Sequence, residues 1–276
     1  MQLSQHSLSD FVDCPRRYYL QHATQQPWPL LETGPGGIDV LEYRGYLRRG
    51  VQLHRMIERS ILGITNQAAG TGIPELDEWF ARFLTTDLES LPQQQLPELA
   101  LVAPLGTAGL YVRYDVLAYD ESRTGGVAQA RRFVIVDWKT IRGEHPPKPS
   151  WFRNRIQTRA YLYALVAGGA PFNDGVPIEP AQCSMRYWLA NFPTQPWVEV
   201  PYTQAEFDAD QRRLLGLATD IAARAGKEDY PLTEDVRKCT YCNFRTLCNR
   251  TGALEPDDIL DDETSLDLSD SPELEY

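Results

Sequence analysis

A chain of 276 residues is long enough to bury the core of one large domain, or of one domain with an appended lobe, and its 42% apolar and 24% charged residues are those of an ordinary globular protein. No apolar run approaches the roughly 20 residues that cross a bilayer, which excludes a membrane-spanning helix, and the opening residues 1–6 lack the basic start and apolar stretch of a secretory signal, so a cytoplasmic, reducing setting is expected. The net charge of −11 argues against a nucleic-acid partner only until it is located: residues 255–276 carry ten acidic groups and no Lys or Arg, leaving 27 basic against 28 acidic residues in the rest of the chain.

In chain order, Ser7 and Ser9 precede Phe11, Val12, Tyr18, Tyr19 and Leu20, a pattern that predicts a capped helix over 8–21 with Cys14 inside it. A Pro/Gly-rich stretch, 27–37, follows. Leu47, Val51, Leu53, Ile57 and Ile61 recur at helical spacing and predict a helix over 46–61, and the same pattern predicts another over 76–88. From Glu98 the texture changes to short β-rich runs at 99–103, 110–119 and 133–138, separated by Gly-containing connectors. A Pro-rich loop at 141–150 leads to a predicted helix over 152–166, then to strands at 185–190 and 197–202 and a long helix over 206–225. Two domains of unequal kind result: a folded unit over 1–254 and an acidic tail over 255–276 whose composition predicts disorder.

Two constellations carry chemistry. Cys14 stands near one end, and Cys239, Cys242 and Cys248 form a C-x2-C-x5-C group near the other; in a reducing compartment such thiolates suit a metal centre, either iron–sulfur or tetrahedral zinc, that staples the chain ends together. The second is Val-Ile-Val-Asp137-Trp-Lys139, an apolar strand ending in Asp-x-Lys, which sets both side chains on one face because strand side chains alternate. A carboxylate there can hold a divalent cation while the ammonium orients a water or offsets charge on phosphorus, and Asp115, between Tyr114 and Val116, supplies a second carboxylate. Other prominent residues receive plainer readings. Cys183 reads as a small buried hydrophobe, and His6, His22 and His145 as surface histidines without ligand spacing. Trp151 and Phe152 either stack on unpaired bases or pack at a helix start, and Glu58 either orients the His54 imidazole or faces solvent.

With these residues in hand, the chain resembles the RecB-like, Cas4-like branch of the PD-(D/E)XK nucleases that carries an iron–sulfur cluster, over most of the chain outside the tail. The resemblance rests on Cys14-Pro15-Arg16-Arg17-Tyr18-Tyr19 with the late cysteine triplet, on Gly50-x-x-x-His54, on Glu98 and Asp115, on Asp137-x-Lys139, and on Gln157-x-x-x-Tyr161. The acidic strand reads Val112-Arg113-Tyr114-Asp115, without the glycine relatives often place at the first of these positions. It implies an α/β fold with a restriction-endonuclease-like core, a central mixed sheet flanked by helices, and an Fe–S-stapled helical lobe. It further implies Mg2+ or Mn2+ on His54, Asp115 and Asp137, a [4Fe–4S] cluster on Cys14, Cys239, Cys242 and Cys248, and Glu98, Lys139, Gln157 and Tyr161 as further catalytic groups. DNA, single-stranded or with ends, is the implied substrate in repair or recombination, with Arg113, Arg153, Arg155 and Arg159 as candidate phosphate contacts. Two alternatives stay open: a nuclease of CRISPR adaptation beside an integrase, and a non-catalytic DNA-binding module that partners a helicase, since no Walker-type motif supplies a motor.

Overall fold

The computed structural model describes residues 1–26, 40–64, 70–86, 88, 90–120, 131–141, 143, 145–239 and 242–250, with the side chains of 40–44 set aside. The Pro/Gly-rich stretch at 27–37 and the acidic tail at 255–276 lie outside the described residues. One six-stranded mixed sheet organises the chain, with helices on both faces. β3 (Ala108–Tyr119) is its hub: β2 (Gln94–Leu105) runs antiparallel along one edge, while the other edge is shared by β1 (Gln2–Ser4), parallel at residues 109–111, and β4 (Phe133–Lys139), antiparallel at residues 116–119. Beyond β4 come β5 (Cys183–Leu189), parallel to it, and β6 (Trp197–Pro201), antiparallel to β5. β4 is buried along its whole length, as its apolar run requires of a strand covered on both faces.

Each face has its own core. On one, α1 (Gln5–Asp13), α5 (Pro149–Asn154), α6 (Ile156–Gly168) and α7 (Gln204–Arg224) pack on Leu110, Val112, Tyr114, Phe133 and Ile135. On the other, α3 (Val40–Ile61) and α4 (Pro74–Leu84) bring Leu53, Ile57, Trp79 and Phe83 against Val134, Val136, Trp138 and Trp188.

Several sequence expectations are corrected. The predicted helix over 8–21 is broken at Cys14, which is extended (φ −160°, ψ 107°) between α1 and α2 (Pro15–Tyr18), because the ring of Pro15 disfavours a helical residue before it. The chain then continues as a π-helical turn, Tyr19–Ala23. The helix starts earlier than Ser7 and Ser9 suggest: Ser4 is the cap, its hydroxyl accepting from Ser7 N at 3.1 Å while the Ser7 hydroxyl accepts from Ser4 N at 2.9 Å. The helix predicted over 152–166 is two helices, parted at Arg155 (φ −67°, ψ 144°).

Candidate active site

The site forms where β3 opens. The β2–β3 register, Pro97 with Val116 and Leu99 with Tyr114, sets Glu98 opposite Asp115, yet Glu98 is in the left-handed region (φ 51°), a conformation uncommon for a residue with a Cβ. The same row is where alternation slips: Tyr114 and Leu117 enter the α6-side core, Val116 and Ala118 the α3-side core. β4 leaves β3 beyond Val116, and Asp115 Oδ2 takes over the ladder by accepting from Trp138 N at 2.8 Å. A side-chain oxygen thus replaces a strand partner at the edge of an opening sheet.

Into that opening α3 delivers His54. Its Nε2 lies 2.7 Å from the Trp138 carbonyl oxygen and its Nδ1 3.4 Å from Asp115 Oδ1. Gly50, one turn earlier, makes the approach possible: a Cβ there would stand 3.0 Å from Thr140 Oγ1, just past the end of β4. That is the physical content of Gly-x-x-x-His. Glycine lets the helix touch the strand end, and one turn later the imidazole reaches the acid.

From the opposite face α6 contributes Gln157. Asp137, Lys139 and Gln157 close a ring: Lys139 Nζ lies 2.9 Å from Asp137 Oδ2 and donates to Gln157 Oε1 at 2.9 Å, and Gln157 Nε2 donates to Asp137 Oδ1 at 2.9 Å. Lys139 is fully buried, with its ammonium 5.8 Å from the centre of the Tyr187 ring. Tyr161, one turn after Gln157, packs edge-on against Tyr114 at 5.2 Å between ring centres, and the Tyr114 hydroxyl donates to its carbonyl oxygen.

The charges are crowded. Burial pushes the Asp137 carboxyl up to about 7, with Asp115 adding to the rise against the pull of Lys139. Burial alone would push the His54 imidazole down, but Asp115 and Asp137 hold it up at about 9. Asp115 itself is held below the usual carboxylate range: burial would raise it, and His54, Trp138 N and Lys139 more than offset that. Glu98 is raised by burial and by Asp115, and ion-pairs with Arg113 at 3.3 Å. One buried acid, Asp137, and two half-buried ones, Asp115 and Glu98, therefore share His54 and Lys139 as counter-charges, and Asp137 Oδ2 is engaged by the Lys139 ammonium at 2.9 Å. The carboxylate oxygens of Asp115 and Asp137, the His54 imidazole and the Trp138 carbonyl are a donor set that fits a divalent cation. The ligand atoms are not drawn as close together as around an ion: among the described residues only His6, Asp10 and His22 form a trio with all ligand atoms within 4.8 Å. Asp137 is instead turned to Lys139 and Gln157.

The four cysteines converge from both chain ends without being tightly clustered. Arg16 N donates to the Pro231 carbonyl at 3.1 Å, Lys238 ion-pairs with Asp13, and Tyr19 stacks on Tyr230 at 4.8 Å. Burial raises the thiols of Cys239 and Cys248, and that of Cys242 to about 11; Cys14 adds to the rise in all three, so the sulfurs feel one another. Cys183 is buried and far from acidic, its thiol pushed up by burial alone.

The candidate phosphate contacts separate. Arg113 sits beside the acids. Arg155 lies over the Trp151 ring at 4.5 Å, and Arg153 is 4.0 Å from Glu206. Arg159 is committed within the fold, 3.8 Å from Glu206 and 3.6 Å from the buried Asp210. Phe152 is fully buried and packs at the helix start. His6 and His22 are not open-surface residues but half-buried partners of a buried Asp10; the i, i+4 spacing of His6 and Asp10 was the available signal.

The sequence matches the family model described as the PD-(D/E)XK nuclease superfamily over residues 2–249. No curated protein matches it. A solved structure from Eubacterium rectale, described as a "putative exonuclease", is 12% identical and superposes with a TM-score of 0.51, covering 92% of this chain and 89% of its own; that likeness is one of fold. The solved structure of a protein called SSO0001 is 14% identical, with a TM-score of 0.39, covering 92% of this chain and 87% of its own.

Proposed function

The chain belongs to the PD-(D/E)XK nuclease superfamily, whose nucleases use divalent metals to hydrolyse phosphodiesters, and we propose that it is a Mg2+- or Mn2+-dependent deoxyribonuclease of the RecB-like, Cas4-like branch, acting on single-stranded or end-containing DNA in repair or recombination. The observation that carries this reading is the Asp137–Lys139–Gln157 ring closing on the His54–Asp115 pair at the mouth of an opened sheet. His54, Asp115, Asp137 and the Trp138 carbonyl would hold the ion, which supplies charge neutralisation at phosphorus and a more acidic water. Lys139 holds the attacking oxygen and offsets developing negative charge; Gln157 orients Lys139 and Asp137 together; Glu98 adds a carboxylate beside Asp115. Arg113, Arg153 and Arg155 contact the DNA backbone. The sheet order and the helices on both faces support a restriction-endonuclease-like core.

In the same reading Cys14, Cys239, Cys242 and Cys248 hold a [4Fe–4S] cluster. Cys14-Pro15 with a late C-x2-C-x5-C triplet is the ligand pattern of the cluster-bearing branch that the sequence resembles, and that resemblance supports iron–sulfur over zinc. In this reading a partner helicase would supply duplex unwinding.

The test is cleavage of end-labelled single-stranded and duplex DNA in Mn2+ by anaerobically purified protein, with Asp137→Ala and Lys139→Ala alongside. Turnover by the wild type and loss of about 100-fold or more in each variant is expected, since both remove parts of one catalytic unit. Near-normal cleavage by Asp137→Ala would remove the site.

A further inference from the structure

Among the described residues outside the catalytic site and the cysteine group, one side-chain cluster has metal-ligand geometry. His6 and Asp10 lie one turn apart on α1, and His22 comes from the π-helical turn Tyr19–Ala23. His22 Nε2 is 2.7 Å from Asp10 Oδ2 and His6 Nε2 is 3.5 Å from the same oxygen. All three ligand atoms lie within 4.8 Å of one another, and the imidazole rings meet at 73° with centres 5.5 Å apart. Two imidazoles and one carboxylate are the borderline nitrogen–oxygen set that suits zinc, leaving a fourth position for water.

The geometry points to a second metal site here: His6, Asp10 and His22 bind one divalent cation of the zinc class, distinct from the ions of the nuclease centre. Three observations support it. Asp10 is buried and turns a single oxygen, Oδ2, to both imidazoles. Its other oxygen, Oδ1, is 2.7 Å from Arg17 Nε, a supporting contact of the kind that fixes a ligating carboxylate in orientation. And His22 sits in a π-helical turn, an element that recurs at functional positions. His6 and His22 remain accessible, with 21% and 23% of their side chains exposed, so an ion can reach them. Two ligands precede Cys14 in the chain and one follows it, so the ion would clamp the bend that presents Cys14.

The test uses full-length protein in excess Mg2+, titrated with Zn2+ against a chromophoric chelator, for the wild type, His22→Gln and His6→Gln. Far-ultraviolet circular dichroism and the melting temperature without zinc report that each variant keeps its fold. The wild type should hold one zinc per chain more than either variant, or bind it at least about tenfold more tightly, and Zn2+ should raise the melting temperature of the wild type alone. Equal zinc stoichiometry and affinity in all three proteins would overturn the site and leave the trio a hydrogen-bonded network. His6→Gln removes the longer of the two contacts to Asp10, 3.5 Å against 2.7 Å, so the comparison survives even if His22→Gln fails to fold.

Discussion

At the scale of single residues, the metal-free site stores protons that a cation has to displace. The Asp137 carboxyl sits at about 7 and the His54 imidazole at about 9, and both must be unprotonated to ligate. The sign follows from linkage. Raising the pH through these values removes the competing protons, so Mn2+ affinity should rise about tenfold per pH unit between about 7 and 9 and more steeply below about 7, where two protons compete. The same shifts act on the metal-free fold. A raised carboxyl loses stability as the pH climbs from its unfolded value toward 7, and a raised imidazole loses its contribution through 9, so the gain in melting temperature on adding Mn2+ should widen from pH 6 to pH 9. A pH-independent Mn2+ shift, read by differential scanning fluorimetry, would contradict it. Gln157 offers a second handle. It touches both Asp137 and Lys139 and is buried, so Gln157→Ala should weaken metal binding or cleavage by roughly 10–100-fold, the range for partners that orient ligands.

At the scale of elements, the decisive contact is that of α3 with the end of β4. An exposed helical Gly→Ala gains up to about 1 kcal/mol, so at Gly50 the sign reveals whether the contact matters. The added methyl would meet Thr140 Oγ1 at 3.0 Å, and Thr140 is buried, so Gly50→Ala should instead cost about 1–3 kcal/mol by overpacking and move His54 off Asp115. Thr140→Ala should partly rescue it, a coupling that urea denaturation of the four proteins of the cycle measures. In the sequence this motif was carried by the family resemblance, and the helix expected over 46–61 puts Gly50 and His54 on one face. β3, β4 and the Asp-x-Lys pair were legible in the sequence, since their apolar runs are unambiguous. Less legible were features that depend on neighbours. β1 has only three residues, too few for periodicity, and forms because the segment after it is capped and packed onto β3. The break at Arg155 hides inside an apolar pattern because α6 is buried on nearly every side, so no polar face marks its start. The left-handed Glu98 gives no sequence signal, since glutamate carries no preference for that region.

At the scale of the molecule, the two ends of the described chain meet, and what joins them decides whether the helical lobe stands. The contacts there are modest: Arg16 with Pro231, Tyr18 and Tyr19 stacked on Tyr230, and Lys238 with Asp13. Exposed ion pairs contribute about 0–1 kcal/mol each, so they do not by themselves hold a segment with little apolar core around Cys239, Cys242 and Cys248. Those thiols have raised pKa values without a metal, so they are neutral and repel little; a bound cluster would convert them to thiolates and make the closure strong. Cys14→Ser should therefore abolish the brown colour and the iron content, and lower stability by on the order of 4 kcal/mol, the loss typical of removing a structural metal. In a domain of this size that is a fall in melting temperature of roughly 10 °C. Cys183→Ala is the control. Its thiol is buried in the α6-side core and belongs to no ligand set, so the variant should keep full iron content and pay only for a small cavity. Zinc in place of iron and sulfide in the wild type would overturn the cluster while leaving the closure, and a Cys183→Ala protein as iron-poor as Cys14→Ser would overturn the ligand set.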